Sequence, residues 1–346
     1  MKTSFMALCA SVAIGFGSAA LAQSANGLSG VSISPDGQSL LVTGESRVLY
    51  TLDPTTLEVR DRRWLPETAS WMDHLPDGSA YLVRSDDRTI FAADAGSHEK
   101  LWEVENISGF SYAAASGKLL IYRNRSEETQ FHIVDTATGA EGPMIALPEL
   151  RAEAIALSDD GRFALGLTRS ERTEDEPTED APDDLDDFAE EEFKQMHDGR
   201  MSAVIQIDVE AGTATGTPTY FTMSSADMVR MVAGVAVILD GRESALILPN
   251  GTVQMLDVGR PGGRTSHLSD DGLTMFLGDR RGLILRPLGG GEDTEIEVDA
   301  GDIPGDSEYP VAIDQGPDGT IYVGTDAYRI WAVAPDGSDL RAEPVM

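Results

Sequence analysis

Asp73, His267 and Asp314 each stand five residues before a glycine that closes an acidic turn: Gly78, Gly272 and Gly319. Two carboxylates and an imidazole form a donor set for a divalent cation such as calcium, which could in turn activate a water molecule. The same groups have the chemistry for general acid–base work or for holding a small ligand. A plainer reading is that they are polar residues that only bind ordered water. His74 lies one position on, among apolar neighbours, and reads as a hydrogen-bonded core histidine.

Other chemistry is thin. The one cysteine, Cys9, falls in the first 22 residues, so the chain from Gln23 has no thiol nucleophile, thiolate ligand or disulfide. His98, His132 and His197 are scattered, with no HExxH spacing. No Gly-x-Ser-x-Gly elbow precedes a helix. Gly289-Gly290-Gly291 lies between strand-like runs and is a turn, not a phosphate cradle. Trp64, Trp71, Trp102 and Trp331 fall in strand-like runs and are expected to pack between sheets.

The candidate residues are positioned by a recurring phrase, an apolar run, a polar turn ending in Asp-Gly, and another apolar run. It is seen at Ser34-Pro-Asp-Gly37, Leu75-Pro-Asp-Gly78, Ser158-Asp-Asp-Gly161, Ser269-Asp-Asp-Gly272 and Gly316-Pro-Asp-Gly319. Weaker forms end at Gly117 and Gly241. Proline presets φ, aspartate bonds its own backbone, and glycine takes the φ > 0 corner. Around each turn lie runs of four to eight residues rich in Val, Leu, Ile and Thr, which read as strands. Successive turn glycines at 37, 78, 117 and 161 are 41, 39 and 44 residues apart. That is the period of a four-stranded propeller blade. The expected fold is an all-β, seven-bladed propeller of antiparallel blades. In blade five the first strand is placed at Val232–Leu239, and no fourth strand is evident. Alignment on the turn glycines puts Ser32, Asp73, Tyr112, Ala156, Ala236, His267 and Asp314 on one face, expected to look into the central channel.

Ser34-Pro-Asp-Gly-Gln-Ser-Leu-Leu-Val-Thr-Gly44, followed by Leu52-Asp-Pro-Thr-Thr-Leu-Glu-Val59, resembles the YVTN-type repeat, and His132-Ile-Val-Asp-Thr-Ala-Thr-Gly139 is similar to its closing half. Such units occur in WD40-like and quinoprotein-like propellers of bacterial envelopes. The resemblance implies a fold and no single activity, because these propellers host binding, lactone hydrolysis and amine oxidation alike. Three functions follow as expectations. The first is a binding or protein-interaction scaffold. The second is a metal-dependent, lactonase-like hydrolase with its site on the axis. The third is a subunit resembling the propeller of quinone amine dehydrogenases.

Residues 1–22 carry Lys2, an apolar run and Ala20-Leu21-Ala22, the pattern of a secretory signal peptide cleaved after Ala22. Residues 23–346 are then one propeller domain, periplasmic or secreted, with no other run apolar enough to span a bilayer. Removing Lys2 leaves 25 bases against 59 acids, 25 − 59 = −34. That charge repels nucleic acid and favours a basic protein or a cation. Residues 171–198 hold 14 acids and 2 bases, a net of −12. The segment 171–200 reads as an insertion in blade four, an acidic loop passing into a short amphipathic helix. Leu185, Phe188, Phe193 and Met196 share that helix's apolar side and are candidate partner-docking residues.

Overall fold

The computed structural model describes residues 27–85, 87–168, 201–220, 228–232, 234–239, 244–256, 265–279, 282–298 and 308–345. They form seven sheets, each of four antiparallel strands in sequence order, with no helix among the described residues. This is a seven-bladed β-propeller. Blade one shows the plan: Gly30–Ile33, Leu40–Thr43, Val48–Leu52 and Val59–Trp64 run from the axis outward. The inner strands of the other blades are Ala69–His74, Gly109–Ala113, Ala152–Leu157, Met228–Val232, Ser266–Leu268 and Pro310–Gln315.

The turns form as their residue types dictate. Gly37, Gly78, Gly161, Gly272 and Gly319 all have positive φ, between 67° and 85°. Each returns its N–H to the residue three before it, as in Gly37 N to Ser34 O at 2.8 Å. Each turn aspartate in turn accepts from the backbone two residues on.

Buried side chains divide into seven clusters, one at each junction between neighbouring blades. Leu41, Leu49, Met72, Tyr81 and Val83 join blades one and two. Val31, Leu40 and Val42 meet Tyr322, Ile330 and Ala332 of blade seven and close the ring. A leucine such as Leu40, fully buried here, stabilises by roughly 1.5–3 kcal/mol relative to an exposed one. Strand Leu340–Pro344 completes blade seven from its own sequence. The ring therefore closes by face packing, supplemented by Leu28 N–H donating to Thr325 O (2.9 Å).

Three expectations need correction. Blade five starts earlier than expected. Its inner strand is Met228–Val232, and Val235–Leu239 is its second strand. The two apolar runs are separated by only two residues, one of them Gly234 at φ +79°, without the Pro or Asp that marks other turns. Read in sequence they merge into one strand. Ala236 accordingly belongs to a second strand and not to the inner ring. Blade three carries the second error. There the paired residues Ala113 and Lys118 enclose four residues, against six between Ile33 and Leu40. The second strand therefore starts directly after Gly117, and the residue that takes the place of Ser32, five before Gly37, is Ser111, six before Gly117, so the parity is reversed. The third concerns Trp64, which lies on an outermost strand and is 80% exposed, whereas Trp331 is fully buried.

Candidate functional site

Cross-strand pairing shows where the inner-ring side chains point, because directly opposed residues share a face. Ser32 opposes Leu41, and Asp314 opposes Tyr322. Leu41 and Tyr322 pack against the following blade. Asp73 opposes Leu82, and His267 opposes Phe276 and stacks on it at 6.1 Å. Ser111, not Tyr112, holds the equivalent place in blade three, opposite Leu120. The ring expected to look into the channel thus faces the neighbouring blade, and Ser32 is completely buried.

Several of these residues have a definite partner. Asp314 Oδ2 accepts from Ile33 N–H at 2.8 Å. Ser32 Oγ accepts from His74 N–H at 3.1 Å, and Ser111 Oγ accepts from Leu157 N–H at 2.9 Å. The physical need is plain. An inner strand has no neighbour on its axial edge, so its outward N–H groups lack a ladder partner. A short polar side chain from the preceding blade supplies the acceptor. The structure thus places Asp73, His267 and Asp314 on the inner strands of blades two, six and seven, and binds Asp314 into this belt. Among the described residues no group of three or more His, Cys, Asp and Glu side chains could hold a metal ion. Leu185, Phe188, Phe193 and Met196 lie outside the described residues.

The belt is unusual between blades one and two, where its acceptor also meets a histidine ring. Ser32 Oγ lies 2.8 Å from His74 Nδ1, and His74 is 5% exposed. Burial lowers the imidazole pKa from 6.5 to about 4, opposed in part by the nearby Asp36 carboxylate. The ring is neutral at physiological pH. Ser32 Oγ already accepts the His74 N–H, and where its hydroxyl donates to Nδ1 the ring proton sits on Nε2. Nε2 has no partner among the described residues.

His74 lines a groove of about 450 Å³ between the first turns of blades one and two, together with Pro35, Asp36, Gln38, Pro76 and Asp77. Asp36 Oδ1 accepts from the Ser34 hydroxyl (2.6 Å) and from Gln38 N–H (3.0 Å). Asp77 Oδ1 accepts likewise from the Ser79 hydroxyl (2.7 Å) and N–H (3.0 Å). Those bonds hold both carboxyls below the usual carboxylate range, the Ser34 hydroxyl leading for Asp36 and the Ser79 N–H for Asp77.

The groove is one part of an acidic end. In an up-and-down blade the first and third turns lie at the same end. Asp36, Asp77, Asp160, Asp271 and Asp318 cap the first turns. Asp53, Asp94, Asp135, Asp208 and Asp336 cap the third. Hydrogen bonds from hydroxyls and backbone N–H groups depress most of these carboxyls as well. The arginines at this end are mostly paired, Arg60 with Asp53, Arg162 with Glu210 and Arg286 with Asp293. Thr168 and Met201, the described residues on either side of the acidic stretch 171–198, belong to the opposite end.

Near that opposite end, blade seven carries a buried ion pair with no counterpart in the sequence reading. Glu308 is 1% exposed. Its Oε1 accepts from Thr325 Oγ1 (2.6 Å) and Trp331 Nε1 (3.2 Å), and its Oε2 accepts from Arg329 (2.8 Å). Glu308 precedes its strand by two residues, so no strand periodicity could have flagged it.

Comparison with known proteins agrees with the architecture. No family model matches the chain, and no curated protein sequence matches it. Among solved structures it is similar to hydrazine synthase of Kuenenia stuttgartiensis, with a TM-score of 0.58 and 12% identity over 93% of this chain and 96% of that one. It is also similar to BamB of Moraxella catarrhalis, with a TM-score of 0.50 and 15% identity over 91% and 82% of the two chains. At such identities the likeness speaks to the propeller fold alone.

Proposed function

We propose that this chain is an exported β-propeller that serves as a binding scaffold, with the acidic end of the propeller taking up a basic protein. The observation that carries this reading is the gathering of turn-capping aspartates at one end. Local hydrogen bonds hold most of their carboxyls below the usual carboxylate range, and few unpaired cations stand among the described residues there. Such a surface raises the local concentration of a cationic partner and speeds its encounter, most strongly at low salt. The leader-like first 22 residues support a periplasmic or secreted setting. Recovery of a chain that begins at Gln23 from a periplasmic or culture fraction would test that part.

The binding test is fluorescence anisotropy of a labelled short oligolysine against the mature protein over a salt series. The expected result is saturable binding that weakens steadily as salt rises, and no binding of an oligoglutamate of the same length. Oligolysine binding that is absent at low ionic strength would overturn the proposal.

A further inference from the structure

The acidic end is uniform in charge but not in shape, and one place on it combines three features. It is concave, it holds two carboxylates, and a nearly fully buried histidine that lines it has a ring nitrogen without a partner among the described residues. We propose that the groove between the first turns of blades one and two seats a lysine or arginine side chain of the partner, with Asp36 and Asp77 taking the cation and His74 Nε2–H taking a carbonyl of the same peptide. This inference rests on the scaffold reading above and names its specific contact.

The donor and acceptor inventory selects this occupant. Oδ1 of Asp36 and of Asp77 is committed to its own turn. Oδ2 of each carboxylate makes no bond to the described residues, which leaves two anionic acceptors at the groove. His74 Nδ1 is committed to Ser32, and its carbonyl accepts from the Tyr112 hydroxyl at 3.1 Å. The single remaining polar atom of the residue is Nε2, and in the tautomer in which Ser32 donates to Nδ1 it is a donor. A cation alone would use the carboxylates and leave that donor unmet, and an anion would meet the carboxylates head on. A backbone carbonyl with a cationic side chain beside it satisfies all three. Pro35, Pro76, Leu41 and Ala95 supply apolar wall for the methylene stem. The other charged and titratable groups around His74 are Asp36 and His98, with Tyr81 packed against its ring at 6.1 Å. None of them neutralises the groove.

The test uses the mature protein and the same labelled oligolysine. Asp36→Asn with Asp77→Asn removes both charges and keeps an oxygen to cap each turn. A control pair, Asp160→Asn with Asp271→Asn, removes the same charge elsewhere on that end. The groove predicts that the first pair weakens binding by about tenfold or more, the scale of losing charge-assisted hydrogen bonds, and that the control changes it by less than about threefold. A second measurement needs no variant. In the unmodified protein, the His74 Nε2 resonance should shift on titration with oligolysine. Equal weakening by both pairs, or a His74 resonance that stays put at saturation, would overturn the groove and leave general attraction to the acidic end standing. Complete absence of oligolysine binding would remove the scaffold reading together with the groove.

Discussion

His74 between blades one and two and Glu308 in blade seven are both ionisable side chains taken out of water, and the fold treats them in opposite ways. Glu308 has a guanidinium beside it, and each of its oxygens has a donor among Arg329, Thr325 and Trp331. His74 gives up its charge instead. One ring nitrogen is held by Ser32, and the other has no partner among the described residues in a side chain that lines a groove. A buried polar group that is fully satisfied fixes the structure around it, whereas one that is half satisfied leaves chemistry available to a visitor. The contrast separates a structural lock from a candidate site more sharply than residue type does.

Breaking the lock should have the largest effect. Glu308→Ala removes the buried acceptor of Thr325, Trp331 and Arg329 and should cost about 3–5 kcal/mol in denaturant unfolding. The double variant Glu308→Leu with Arg329→Met should recover much of that loss. A cost near zero for the single variant would mean that Glu308 and His74 do not differ in kind. Next is the pH response of His74. Its folded pKa, about 4, lies below the ordinary 6.5, so the unfolded chain binds the proton more readily. The stability it contributes is complete above about pH 6.5 and is lost as pH falls toward about pH 4, to a total of about 3 kcal/mol. Urea melts across the range, with His74→Gln flattening this part of the curve, provide the check.

Smaller effects sharpen the comparison within the belt. Ser111→Ala strands only Leu157 N–H and should cost about 1–3 kcal/mol. Ser32→Ala also strands the His74 N–H, and in addition frees the ring to change tautomer, which nitrogen NMR of the imidazole would read. If the two serines cost the same and the His74 tautomer is unchanged, Ser32 is a backbone staple like Ser111 and nothing more. The smallest change expected is Gly37→Ala. At φ +68° it should cost about 1 kcal/mol, with oligolysine affinity retained.

Much of this molecule was legible before any contact was known. Asp-Gly turns and short apolar runs repeat at blade length because each turn chemistry and each strand periodicity is local. The places where the reading slipped are also local in origin. Gly234 closes a turn with no polar flag beside it, so two strands of blade five merged. The turn at Gly117 is two residues shorter than its fellows, so alignment on glycine exchanged Ser111 for Tyr112. A side chain that alternates with period two changes face when its register moves by one.

The sequence by itself determined the all-β repeat, the seven blades and the acidity, since each depends on residues close together in the chain or on composition. Only the tertiary structure decided what the polar residues of the inner strands do. Ser32 reaches His74 across 42 residues and Asp314 reaches Ile33 across 281. Which N–H groups lack a ladder partner becomes defined only when the ring closes and neighbouring blades come face to face. The same closure brings the first turns of blades one and two together, and with them the Nε2–H of His74 and the carboxylates of Asp36 and Asp77.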